Sequence, residues 1–259
     1  MLATLKNNQY IPLDFPIPKE QVHAAVDSFM EFLREPFEVK SEISYLVNPT
    51  HRRSDIGYCF RSDKQREGDD EKEYFHYHTT IRERYPDFLH NHPVVKRFVE
   101  CADPIWWAAH DTVKEFLQSH REEFKDLDQK IFDFPEPHIQ LRFLKYFYKN
   151  PGRELARGHY DAGTLTLAIA ESNPGLRIGR SKESLVPVTH ASGKALLMPG
   201  IDFPEHVSDA YSPAWHDVIQ LEEQSTQDSF SRWAVVCFFT VKGATSFSRE
   251  STHTCEAVT

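Results

Sequence analysis

His159-Tyr160-Asp161 places an imidazole and a carboxylate two positions apart. In an extended segment, residues i and i+2 point to the same face, so this pair can grip one ion from adjacent positions. The pattern alone is common. Fourteen histidines in a chain with 39 acidic residues give about two His-x-Asp or His-x-Glu matches by chance. The second match is His120-Arg121-Glu122. It ends an amphipathic helical stretch, where i and i+2 lie ~200° apart around the axis and cannot share a metal. Helix and strand geometry thus separate two matches that the pattern does not.

Two histidines and one carboxylate with open positions suit non-haem Fe(II). The third ligand must come from a later strand facing the same cavity. His216 fits, in an apolar run 55 positions after Asp161. His190, just before the Ser192-Gly193 turn, and His206, in a proline-flanked loop, remain rivals. His23, His51, His90, His92, His110 and His253 are read as structural. Arg232 opens the apolar stretch that runs to Val241. It is either a strand-end arginine reaching solvent or a fork for a carboxylate, which guanidinium geometry suits.

These side chains need a rigid frame. After Pro135, short β-branched or aromatic runs follow one another: 139–148, 164–169, 176–178, 185–189, 194–198, 215–221 and 233–241. Turn residues such as Asn150-Pro151-Gly152 and Asn173-Pro174-Gly175 separate them, a spacing that argues for a β-sandwich or barrel. Before Pro135 the texture is mostly helical. Val22, Val26, Phe29 and Leu33 recur at helical spacing after Pro18. Pro93 opens a second helix, which Pro104 is expected to kink or break. Residues 10–15 read as an edge strand, 48–60 as irregular, 63–72 as a charged loop and 73–84 as helical. One compact unit is expected over 1–259: a helical region over 1–135, a β-core over 136–247 and a polar tail over 248–259.

Composition narrows the function classes. Hydrophobic residues make up 40% and aromatics 13%, enough for a core and unlike a disordered chain. A net charge of -9 makes nucleic acid a poor partner. The longest apolar run, Trp233 to Phe239, is far below the ~20 residues of a membrane span. The start shows no long apolar segment of a secretory signal, and the four cysteines form no CxxC pair. A cytoplasmic protein with reduced cysteines and no membrane partner is expected.

Gly158-His159-Tyr160-Asp161-Ala162-Gly163-Thr164-Leu165-Thr166-Leu167 resembles the H-x-D-x-G-x-L-T-L segment of the isopenicillin N synthase-like group of Fe(II)/2-oxoglutarate-dependent oxygenases. Leu141-Arg142-Phe143-Leu144-Lys145-Tyr146-Phe147 resembles the L-R-x-x-x-Y-P strand before it. The order His, Asp, distant His, then Arg on the last long strand is also the family's. The resemblance implies a double-stranded β-helix (jelly-roll) core with the helical N-terminal half packed on it. It implies His159, Asp161 and His216 as iron ligands, Arg232 on the distal carboxylate of 2-oxoglutarate, and Tyr146 near that co-substrate. The implied reaction uses Fe(II), O2 and 2-oxoglutarate, releases succinate and CO2, and hydroxylates a C–H bond of a small-molecule substrate.

The chain departs from the pattern at three places. Arg232-Trp233-Ala234 lacks the family's hydroxyl two residues after the arginine. The step from His216 to Arg232 is 16 positions, implying an enlarged hairpin at 222–229. Phe147 and Leu144 replace a proline and a polar residue. These bear on the co-substrate, not on the metal triad. An iron oxidase that dispenses with 2-oxoglutarate and a non-catalytic jelly-roll binding protein are the alternatives; no HExxH or other zinc spacing occurs. The segment 52–78, with Arg52, Arg53, Arg61, Tyr58, Phe60, Tyr74 and Tyr77, is expected to close the substrate pocket.

Overall fold

The computed structural model describes residues 1–51, 53–61, 71–147, 151–221 and 230–244. The hairpin at 222–229 and the tail at 248–259 lie outside the described residues. The strands are β1 (Ile11–Asp14), β2 (Ser44–Leu46), β3 (Asp55–Arg61), β4 (Lys72–Tyr77), β5 (Ile139–Tyr146) and β6 (Glu154–His159). They continue with β7 (Leu165–Glu171), β8 (Leu176–Gly179), β9 (Val186–Pro187), β10 (Lys194–Pro199), β11 (Trp215–Ile219) and β12 (Arg232–Phe239). They form an eight-stranded sheet in the order β1-β10-β7-β12-β5-β4-β3-β2 and a four-stranded sheet in the order β6-β11-β8-β9. Every ladder is antiparallel. This is the jelly-roll core that the sequence suggests.

The period of two along each strand sorts the large sheet into two chemistries. On β5, Ile139, Leu141 and Phe143 join the main core, and on β12 so do Trp233, Val235, Cys237 and Phe239. That face is covered by the helices Lys19–Phe32 and Pro93–Ser119, through residues such as Phe29, Phe98 and Trp106. Phe29 and Phe98 each lie within 5.8 Å, centroid to centroid, of Phe143. The alternate residues face the small sheet. Leu144, Tyr146, Ala168 and Ala234 there meet Ala156, Leu176 and Val218 in a second, smaller core. Burying one such aromatic or aliphatic side chain contributes roughly 1.5–3 kcal/mol. The helical layer therefore stabilises one face and leaves the other for the site.

Three elements differ from the sequence expectations. Residues 55–61 and 72–77 are paired strands, not an irregular stretch followed by a helix. Their charges suggested exposed surface, yet they are neutralised across the sheet. Glu73 stands opposite Lys145, with Lys145 Nζ 2.9 Å from its carboxylate, and also accepts from Tyr58 Oη. Such cross-strand pairs stabilise a sheet as i,i+4 pairs stabilise a helix. Pro104 does not end its helix, which runs unbroken from Pro93 to Ser119. Burial of Ala102, Ile105 and Trp106 around the proline outweighs the one lost backbone hydrogen bond. The strand β6, which carries His159, is longer than the extended reading around His159 and begins at Glu154, just after the Asn150-Pro151-Gly152 turn residues.

Candidate functional site

His159 ends β6, and His216 stands directly opposite it on β11. Asp161 lies two residues beyond His159, in the loop to β7. Among the described residues these three alone gather as a possible metal-binding group, with one donor atom from each within 4.8 Å of the others. His159 Nε2 is 3.4 Å from Asp161 Oδ1, and His216 Nε2 is 3.6 Å from Asp161 Oδ2. Both imidazoles are oriented the same way: His159 Nδ1 donates to the Arg157 carbonyl (2.7 Å) and His216 Nδ1 to the Ala214 carbonyl (3.1 Å). With Nδ1 as the donor, Nε2 keeps its lone pair for an ion, the usual outer support of a metal-bound histidine. Thr166 Oγ1 donates to Asp161 Oδ2 at 2.7 Å.

The electrostatics favour a cation at this point. Burial alone would raise the Asp161 carboxyl, but His216, His159 and the Thr166 hydroxyl outweigh it and hold it far below the ordinary range. Burial, and then His216, push His159 down. The site thus presents two imidazoles and one carboxylate, a donor set suited to Fe(II).

Backbone contacts hold this geometry. Ile201 N–H donates to the Asp161 carbonyl and Gly200 N–H to the Thr164 carbonyl, both at 2.9 Å. A Cβ on Gly200 would lie 2.0 Å from the Gly163 carbonyl oxygen, so only glycine permits that approach. Behind His216, Arg177 clamps Asp217 at 2.8 and 2.5 Å. This bidentate pair fixes the register of β8 on β11. A one-residue slip would turn His216 out of the cavity.

A narrow cavity leads from the triad between the two sheets to Arg232. Its walls are apolar, among them Leu144, Ala156, Leu176, Val218 and Ala234. Tyr146 stands opposite Arg232 in the β5–β12 ladder, its ring 5.9 Å from the guanidinium. Arg232 does not reach solvent; it is 2% exposed, and burial lowers its pKa to about 10. Nε donates to the Asn173 carbonyl at 2.9 Å, and the fork is in close contact with the carboxylate of Glu171. His190 Nδ1 lies 3.3 Å from the other oxygen of Glu171, while its Nε2 donates to the Ala168 carbonyl. An apolar channel with a metal-ligand set at one end and a guanidinium at the other suits a linear dicarboxylate. Glu171 is the feature that such a ligand must displace or share.

A wider cavity of about 360 Å³ opens on the other side of His159 and Asp161. Arg53, Asp55, Cys59 and Arg61 line it from β3 and its lead-in, and Lys72, Tyr74 and His76 from β4. Part of the segment expected to close a substrate pocket thus lines this cavity. Tyr58, Phe60 and Tyr77 fall on the opposite strand faces: Tyr58 packs on Phe32 and Phe37, Phe60 is 52% exposed, and Tyr77 donates to Asp103 beneath the sheet. Arg52 and residues 62–70 lie outside the described residues.

The rival histidines are elsewhere. His190 belongs to the Arg232 end of the narrow cavity, and His206 sits 4.0 Å from Asp202 on a one-turn helix. His23, His51 and His110 pack on Trp233, His138 and Trp106. Glu171, Thr166, Arg142 and His76 escape the sequence reading. Arg142 carries a signal, a charge inside an apolar strand, but the family motif already accounts for it.

The chain matches no protein-family model and no curated protein. Solved structures do resemble it. One is a full-length Neurospora crassa protein in complex with alpha-KG and thymine (18% identity, 93% of this chain and 78% of that one, TM-score 0.68). Another is a 2OG-Fe(II) oxygenase family protein from Caulobacter crescentus (17%, 98% and 87%, TM-score 0.70). A third is the Arabidopsis thaliana dioxygenase for auxin oxidation 1 bound to 2-oxoglutarate (15%, 95% and 88%, TM-score 0.67). The chain has the fold that these oxygenases share.

Proposed function

We propose that the protein is an Fe(II)- and 2-oxoglutarate-dependent oxygenase that hydroxylates a C–H bond of a small molecule. The observation that carries this is the convergence of His159, Asp161 and His216 at the junction of two cavities, one of which ends in Arg232. When bound, iron with 2-oxoglutarate and O2 would supply the oxidising chemistry, releasing succinate and CO2. The chain's part is to hold and exclude. His159, Asp161 and His216 hold the ion, Arg232 and Tyr146 the remote end of the co-substrate, and the apolar walls keep water from the channel. The helical layer and the jelly roll act as one unit. Among the described residues no helix is long and apolar enough to cross a membrane, and Cys59, Cys101 and Cys237 are free thiols. These support a cytoplasmic setting.

Supplying the protein with Fe(II), 2-oxoglutarate and O2 and measuring succinate tests the proposal. Succinate should form slowly without a prime substrate and stop when iron is chelated. A second reading, an iron oxidase that needs no 2-oxoglutarate, draws on the Arg232–Glu171 contact and on Ala234. It expects O2 consumption without succinate. Absence of iron binding would leave a non-catalytic binding protein.

A further inference from the structure

We infer that the prime substrate is an oxyanion, a carboxylate or a phosphate, gripped in the wider cavity by Arg142 with Arg53 beside it. This rests on the triad as the reaction centre, because the same cavity is lined by His159 and Asp161.

The chain as a whole carries -9, yet among the described residues that line this cavity basic side chains outnumber acidic ones. Arg53, Arg61, Lys72, Arg142 and Arg157 face it, against Asp55 and the proposed iron ligand Asp161. Local clustering of one sign in a concave, low-dielectric site raises the concentration of the opposite ion there.

Arg142 is also held in a binding posture. Its guanidinium lies 4.5 Å from the Phe238 ring centroid and 4.9 Å from that of Tyr74. Its Nε donates to His76 Nε2 at 2.7 Å. His76 Nδ1 in turn donates to Asp55, 3.0 Å from Oδ2 and 2.9 Å from the carbonyl. Burial and the Arg142 charge keep His76 neutral. Burial would raise Asp55, but the hydrogen bond from His76 and the Arg142 charge hold it below the ordinary carboxylate range. The relay Asp55–His76–Arg142 thus fixes one edge of the guanidinium. Among the described residues the two terminal nitrogens of Arg142 make no hydrogen bond. The Arg53 side chain makes none either, and no ion pair. Burial and then Arg142 lower the Arg53 pKa, so the two guanidiniums repel each other across the cavity. A planar, pre-oriented fork with a second guanidinium lining the same cavity is matched by a bidentate oxyanion, which gains two charge-assisted hydrogen bonds and offsets the repulsion between them.

The test is calorimetric titration of the full chain, without iron or 2-oxoglutarate, using inorganic phosphate and, separately, benzoate. At least one should bind at one site per chain, and the preferred probe tells phosphate from carboxylate. Binding should weaken at least tenfold in Arg142→Gln and several-fold in Arg53→Gln. Thermal melting checks that each variant folds; if Arg142→Gln does not, Arg53→Gln carries the test. Two results overturn the inference: neither probe binds, or the folded variants bind as tightly as the parent. Because no redox step enters the measurement, failure of the succinate assay would leave this result standing, and the reverse.

Discussion

At the triad end of the narrow cavity, each ligand side chain is oriented by one short contact to a nearby residue. His159 Nδ1 finds the carbonyl two residues before it, His216 does the same, and Asp161 takes a hydroxyl five residues on. At the Arg232 end, the partners come from distant strands and compete. Glu171 lies 61 positions from Arg232 in sequence, and His190 reaches the same carboxylate. The first arrangement is a pre-organised receptor for a cation. The second is a charge pair already made, in which a ligand carboxylate must take the place of an internal one. Buried ion pairs cost desolvation to form and cost more to break from one side.

Removing Arg232 should therefore have the largest effect on stability. Arg232→Leu leaves Glu171 as an uncompensated buried carboxylate, an expected loss of about 3–5 kcal/mol. The double variant Arg232→Leu/Glu171→Leu should recover most of it. Denaturant unfolding measures both. If the double variant is no more stable than the single one, Glu171 is not the group that Arg232 neutralises. Iron affinity should change little in either, because neither side chain is in the triad.

At the other end, His216→Ala should weaken iron binding more than about 100-fold, since even partners outside the ligand set are worth 10–100-fold. Thr166→Val is the gentler probe of the same end. It keeps the shape and removes the hydroxyl that orients Asp161, and about a tenfold loss of affinity is expected. Metal titration of the two variants reads both. Equal affinities for Thr166→Val and the parent would mean that Asp161 is held by the backbone contacts of its loop alone.

How far the sequence reveals each region follows from the range of its contacts. The His159–Asp161 pair is legible because a period of two is local, and His216 because a histidine in an apolar strand has few faces to choose from. A β-sandwich or barrel is legible from evenly spaced strands and turns, and the jelly roll from the family resemblance. Residues 72–77 misread as helix because Lys72, Glu73 and His76 look like exposed surface. Only the opposite strand, with Arg142 and Lys145, explains why they are buried in a sheet. The Arg142–His76 hydrogen bond spans 66 positions, and that from Gln140 to the Asp55 carbonyl spans 85. Nothing in composition or periodicity announces such pairs. Glu171 is hidden for the same reason: strict alternation from Leu165, Leu167 and Ile169 would put it on the core face, and only an irregularity in the pairing of β7 with β12 near Ala170 brings it to the cavity.

Glu171→Gln separates the two accounts of the Arg232 end with the smallest perturbation. Glutamine keeps the size and an acceptor for Arg232 but removes the competing charge. If 2-oxoglutarate uses Arg232, the variant should show a several-fold lower KM for it. 2-Oxoglutarate should also raise the melting temperature more in the variant than in the parent, because the ligand then supplies the only carboxylate on the buried guanidinium. His190 should not reverse this, since its Nε2 is committed to the Ala168 carbonyl and its Nδ1 faces residue 171 as an acceptor unless doubly protonated. If Glu171 instead takes the co-substrate's place permanently, as in an oxidase without 2-oxoglutarate, the variant should be less stable and 2-oxoglutarate should restore nothing. A melting curve of parent and variant, each with and without 2-oxoglutarate, decides between them without any knowledge of the prime substrate.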